Sequence, residues 1–222
     1  MRFRKLKSAD DIVALVKEIG FLPFFRNDIE GFSVEEHTPR ELWFTENEGP
    51  WEWKGPIARG RECVYGKFFR GKAGFVSLDM FPELANYRRD GYDFDARYDD
   101  GLAALKDKNV YDVVEKDGEI ISKKLKALLN YKKDGNKGFD SVITRLQMQT
   151  YINIADFVYM RDKNGKQYGW GVAVYTTPER CFGELVTSAY GNEPEKSREL
   201  VIKRLRTVLP DVSESDITRL IK

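Results

Sequence analysis

Histidine and cysteine are scarce in this 222-residue chain: there is one histidine, His37, and two cysteines, Cys63 and Cys181. His37 sits between Glu36 and Thr38 with no H-E-x-x-H spacing and no triad motif, so it reads as an ordinary loop residue. The cysteines lie far apart without C-x-x-C spacing, which leaves reduced, structural thiols and neither a zinc cage nor a redox pair. No G-x-x-x-x-G-K loop is present, which argues against nucleotide hydrolysis. No metal and no cofactor are expected. No apolar run approaches the roughly 18–20 residues of a membrane span. MRFRKLKSADD is basic but lacks the apolar stretch and cleavage site of a signal peptide, so a cytoplasmic protein is expected. There is no low-complexity tract and no repeat. A charge excess is missing too: the net charge is +1, which counts mildly against a nucleic-acid binder.

What is present is ordinary globular material, 41% hydrophobic and 33% charged, with aromatics at 13% concentrated before residue 100. Ser8 to Asp11 reads as a capping box opening a helix with Ile12, Val13, Leu15, Val16 and Ile19 as its apolar stripe and Gly20 as its stop. Thr38-Pro39-Arg40-Glu41 reads as a second box, after an irregular stretch. GPWEWKGPIARG holds a short helix. ECVYGKFF and AGFVSLDMF flank Arg70-Gly71-Lys72 as a β-hairpin. Helices are expected near 80–89 and 95–105. The aromatic-basic stretch from Trp51 to Phe75 resembles a base-stacking surface, but its alternation favours a half-buried strand. DGYDFDARYDDG fails as a calcium loop, because Arg97 falls on a ligand position and Tyr98 where glycine is needed. A solvated turn and helix start is the better reading.

The second half has a clearer pattern. Helices are expected at 107–117, from Ser122 as cap through SKKLKALLN, and over FDSVITRL. An extended segment, QMQTYINIADFVYM, then turns at Asn164-Gly165 and returns through QYGWGVAVYTT. Three helices followed by a hairpin is the order of a winged helix-turn-helix. The fold class is therefore α+β: an N-terminal α+β region over 1–105, the winged helix over 106–177, and C-terminal helices over 178–222, near 178–187, 194–208 and 213–221.

A winged helix points to DNA as partner. In the third helix Phe139, Val142, Ile143 and Leu146 form one apolar face, and Ser141, Thr144 and Arg145 project from the other, as a major-groove reader requires. The preceding loop adds Lys132, Lys133 and Lys137; the wing tip adds Arg161, Lys163 and Lys166. From Glu119 to Arg145, six lysines and one arginine outnumber three acids by four, enough for phosphate contacts on one face. A solvated helix carrying the same residues, or a winged helix that binds only protein, stands as the alternative.

Gln147-Met148-Gln149 lies where the third helix is expected to yield to the strand. Residues two apart diverge by about 200° on a helix but share a face on a strand. Alternation of Met148, Ile152, Ile154 and Val158 with Gln147, Gln149, Tyr151 and Asn153 favours extension, so the amides are expected side by side. An unbulged two-residue turn would pair Tyr159 with Trp170 and Phe157 with Val172, putting bulky groups on the glutamine face. Either a bulge resets the register or the hairpin is covered on both sides.

At these residues the chain resembles the AlkZ/YcaQ group of winged-helix DNA glycosylases, which carry a glutamine-aliphatic-glutamine motif after a helix. LQMQTYINI is the core of the likeness. Members are longer and built from tandem winged helices, whereas one copy is legible here. The resemblance implies that Gln147 and Gln149 position water for attack at the sugar carbon of an alkylated nucleotide. A purine alkylated on a ring nitrogen is cationic and leaves readily, so placement and electrostatics suffice. The alternatives are a structural pair of glutamines and a non-catalytic module binding DNA or a protein.

Overall fold

A computed structural model describes residues 4–43, 49–165 and 167–222, without the side chains of Arg161 and residues 167–170. Helix α1 (Ala9–Ile19) starts where expected, with the Ser8 hydroxyl accepting from Asp11 N–H and the Asp11 carboxylate from Lys7 N–H. Gly20 ends it at φ +88, and β1 (Phe21–Pro23) follows. The second capping box lies earlier than its sequence suggests. Ser33 caps α2 (Val34–His37), while Thr38 is buried and returns its hydroxyl to Val34 O, leaving Arg40–Leu42 a single 3-10 turn.

Helix α3 (Pro50–Gly60) leads into β2 (Cys63–Phe69) and β3 (Lys72–Ser77). Arg70 and Gly71 both take positive φ, +52 and +76, as a type I′ hairpin turn demands. The sheet runs antiparallel in the order β1-β3-β2. Its aromatics are core: Tyr65, Phe68, Phe69 and Phe75 are buried, and Phe24 meets Tyr65 edge-on. A Cβ on Gly74 would lie 2.4 Å from the Phe69 ring, so only glycine lets that ring cross the strand. Of the rings in this stretch only Trp51 is partly exposed, and the Lys54 ammonium lies over it, so the stretch serves the core.

Helices α4 (Phe81–Arg89) and α5 (Phe94–Asp99) follow, the second shorter than expected and capped by Asp93, which accepts from Ala96 N–H. Next come α6 (Leu105–Asp117), β4 (Ile120–Ile121), α7 (Ser122–Leu128) and α8 (Phe139–Met148). Ser122 is the first helical residue of α7 rather than its cap, and makes no capping bond. Strands β5 (Asn153–Arg161) and β6 (Gln167–Thr176) complete a sheet of order β4-β6-β5. Two register shifts separate Ile154 from Asp156 and Val158 from Met160, so Phe157 opposes Ala173 and Val158 opposes Val172. Bulges do reset this ribbon, and β5 is also covered by α3 and β2.

Helix α9 (Pro178–Phe182) gives way to a 3-10 turn over Gly183–Thr187, then α10 (Pro194–Val208) and α11 (Glu214–Ile221) close the chain. One hydrophobic core runs from Leu6 to Ile221 through all three stretches of sequence. Asn86 on α4, fully buried, donates to Asn192 O and Ser197 Oγ, fixing α10 to α4. No helix among the described residues is long and apolar enough to cross a membrane.

Candidate functional site: the glutamine turn and its arginine clamp

Phe139, Val142, Ile143 and Leu146 are all buried, so the inward face of α8 is the one its spacing specifies. The extended segment expected from Gln147 is not there. The helix continues to Met148, Gln149 caps it at φ −80 and ψ 2, and the strand starts only at Asn153. The two amides therefore sit on helical turns and do not stand side by side on one strand face.

Gln147 is fully buried with both ends of its amide engaged. Nε2 donates to Ile143 O at 3.1 Å, and Oε1 accepts from Lys67 N–H at 3.1 Å. A bulge creates that second bond. Between Gly66 and Phe69 the β2–β3 register slips, which leaves the Lys67 N–H without a ladder partner. The helix keeps going because Gln147 supplies the acceptor this freed donor needs. Gln149 differs: its half-buried amide makes no hydrogen bond among the described residues, and its Oε1 is buried. Gln147→Ala is therefore expected to cost about 2–3 kcal/mol, through an orphaned N–H and an unfilled space. Gln149→Ala should cost less than about 1 kcal/mol. Urea unfolding of the two variants side by side checks this; equal losses would contradict it.

The turn after Gln149 is strained. Thr150, β-branched and buried, takes φ +64, a conformation such residues avoid. Two neighbouring arginines hold it. Arg88 donates to Met148 O at 2.9 Å, Phe68 O at 2.5 Å and Ile221 O at 2.9 Å, tying α8, β2 and α11 at one point. With no carboxylate partner among the described residues, burial pulls its pKa down to about 10. Arg89 donates to Thr150 O at 2.6 Å, Thr150 Oγ1 at 3.2 Å, Glu179 at 2.5 Å and the Tyr190 hydroxyl at 2.8 Å, and lies over the Tyr151 ring. Burial opposes the Arg89 charge, but Glu179 and Tyr190 outweigh it and its pKa ends above the ordinary arginine value.

The residues expected to read DNA are dispersed. Ser141 is exposed at the start of α8. Thr144 accepts from Lys67 Nζ at 3.0 Å and packs against the β2–β3 turn, where Gly71 N–H also meets Met148 Sδ. Arg145 makes a forked pair with buried Asp107, at 2.5 and 2.9 Å. Lys132 and Lys133 are exposed, and Lys137 turns back onto the carbonyls of both. Lys163 is exposed at the hairpin turn, while Lys166 and the Arg161 side chain lie outside the described residues. His37 bonds the Gly31 carbonyl at 2.8 Å.

Arg88, Arg89, Thr150, Glu179 and Tyr190 escaped sequence reasoning. Two arginines at a helix C-terminus look like ordinary complements to the helix dipole, and their targets lie from 20 residues back to 133 residues on. No curated protein and no solved structure matches the chain, whereas the family described as AlkZ related does so over residues 6–222. With nearly its whole length matched, the chain belongs to the AlkZ-related family.

Proposed function

We propose that this is a winged-helix DNA-binding protein that meets the duplex with α7, the 130–138 loop, the first turn of α8 and the β5–β6 tip. The observation that carries the reading is the wiring from Leu105 to Thr176: helix, short strand, two helices and an antiparallel pair, with β4 beside β6. That is the order in which a winged helix presents its third helix and wing. Lys123, Lys132, Lys133 and Lys163 are exposed and make no ion pair among the described residues, so they can replace counterions on phosphates. Lys124 and Lys126 spend part of their charge on Asp117 and Asp140. Thr144 and Arg145, engaged within the fold, support the helix in this reading, and contact shifts to the flanking lysines.

A second reading, release of alkylated bases, is favoured by one observation: the Gln149 amide oxygen has no hydrogen-bond partner among the described residues and lies beside the strained Thr150. In it Gln149 orients the water, and Gln147 holds the helix end that carries it. One experiment addresses both readings. The full chain is titrated into duplex DNA, plain or methylated, over a range of salt concentrations, and free base is assayed. Binding with a log–log salt slope of about −3 is expected, weakened at least tenfold when Lys123, Lys132 and Lys133 become glutamate. Absence of binding at low salt would overturn the DNA reading. Base release lost in Gln149→Ala would establish the second, and no release from methylated duplex would remove it.

A further inference from the structure

Behind the arginine clamp, α4, α5, α6 and the α9 turn enclose a cavity of about 540 Å³. Its walls are aromatic. Tyr111 stacks on Phe94 with ring centroids 4.2 Å apart, and Tyr151 stands edge-on to Phe94. Phe94 and Tyr151 are buried, with Arg89 over the Tyr151 ring, whereas Tyr111 is half-buried and lines the cavity. Arg89, at the base, is already occupied by four acceptors and neutralised by Glu179.

What the cavity has left to offer is mostly hydrogen-bond acceptors. The Tyr111 hydroxyl makes no hydrogen bond among the described residues, and Glu115 and Glu179 line the same cavity with their carboxylates. Thr187 donates to Glu184 O and keeps its lone pairs. On the rim stand two cations, Lys116 and Arg180. Flat aromatic walls select a planar ring, acceptors select one that bears N–H groups, and rim cations suit a phosphate attached to it.

We propose that this cavity receives a single unpaired aminopurine, stacked on Tyr111 with its N–H groups toward Glu115 and Glu179 and its phosphate toward Lys116 and Arg180. Whether the base arrives free or extruded from a duplex rests on the DNA-binding reading, since unstacking is the step by which a protein reaches a base in DNA. The site itself does not depend on that reading.

The test uses 2-aminopurine, whose fluorescence reports stacking, offered to the full chain as the free nucleotide and within a duplex opposite a mismatch. Stacking should change the emission and raise the anisotropy of the nucleotide. Thr187→Trp, at an exposed position, should plug the mouth and weaken its binding at least tenfold; Tyr111→Leu should do the same by removing the stack. Affinity for a fully paired duplex should stay unchanged in Thr187→Trp. No response from either form of the probe would overturn the proposal, as would a response that Thr187→Trp leaves intact. A response from the free nucleotide, lost in Thr187→Trp, in a protein that ignores duplex DNA would support the cavity and overturn the DNA-binding reading.

Discussion

Arg89→Leu is expected to lower the unfolding free energy by about 3–5 kcal/mol, the range for deleting one partner of a buried charge network. The guanidinium is 3% exposed, and its loss strands the Glu179 carboxylate, the Tyr190 hydroxyl and both oxygens of Thr150. It also removes the restraint that keeps a β-branched residue at positive φ. Arg89→Lys should recover little, because a point-like ammonium cannot reproduce the planar fork that reaches four acceptors. Urea unfolding checks this: the midpoint should fall with an unchanged slope. A loss below about 1 kcal/mol would mean that the turn holds its shape without the clamp.

Lys54→Met is expected to raise stability at neutral pH by about 2 kcal/mol. Lys54 is 3% exposed on α3, its ammonium bonded to Trp51 O and placed 3.7 Å from the Trp51 ring centroid and 4.6 Å from that of Phe157. Burial lowers its pKa from 10.5 to about 8, with Glu52 opposing weakly. That depression corresponds to about 3 kcal/mol against the charged form, and the lost carbonyl bond and ring contacts return part of it in the variant. The pH dependence follows directly. Below about pH 8 both folded and unfolded chains carry the proton, and the folded one bears the whole penalty. From pH 8 toward 10 the folded chain sheds the proton while the unfolded chain keeps it, so stability rises with pH. Thermal unfolding at pH 7, 8, 9 and 10 should show that rise in the parent chain and lack it in Lys54→Met. A parallel pair of curves would contradict the assignment.

These two residues show where sequence reading stops. The start of α1 was legible because Ser8 and its target Asp11 are neighbours, whereas the equally local Ser33 cap was passed over for Thr38; the Arg70–Gly71 turn was legible because its conformation is chemically demanding. The apolar face of α8 follows from its spacing alone. The glutamine turn was misread for a physical reason. Its left-handed residue is a threonine, not a glycine, and it is held from a distance by arginines on α4, so no local signal marks the end of the helix. Gln147 looked free to face a ligand because its partner, the Lys67 N–H, exists only through a bulge eighty residues earlier. The strand expected from Gln147 starts only at Asn153, six residues later, and it buries residues 153–155 in succession instead of alternating. Lys54 sits in a stretch read only as a short helix, and only the fold brings Phe157 over it.

The most direct measurement is amide hydrogen exchange of the full chain with and without a short duplex at low salt. If the lysine-bearing loop and the hairpin tip are what touch the duplex, added DNA should slow exchange over residues 123–141 and 162–165 and leave α10 and α11 unchanged. Protection confined to those two C-terminal helices, or none at all, would contradict it.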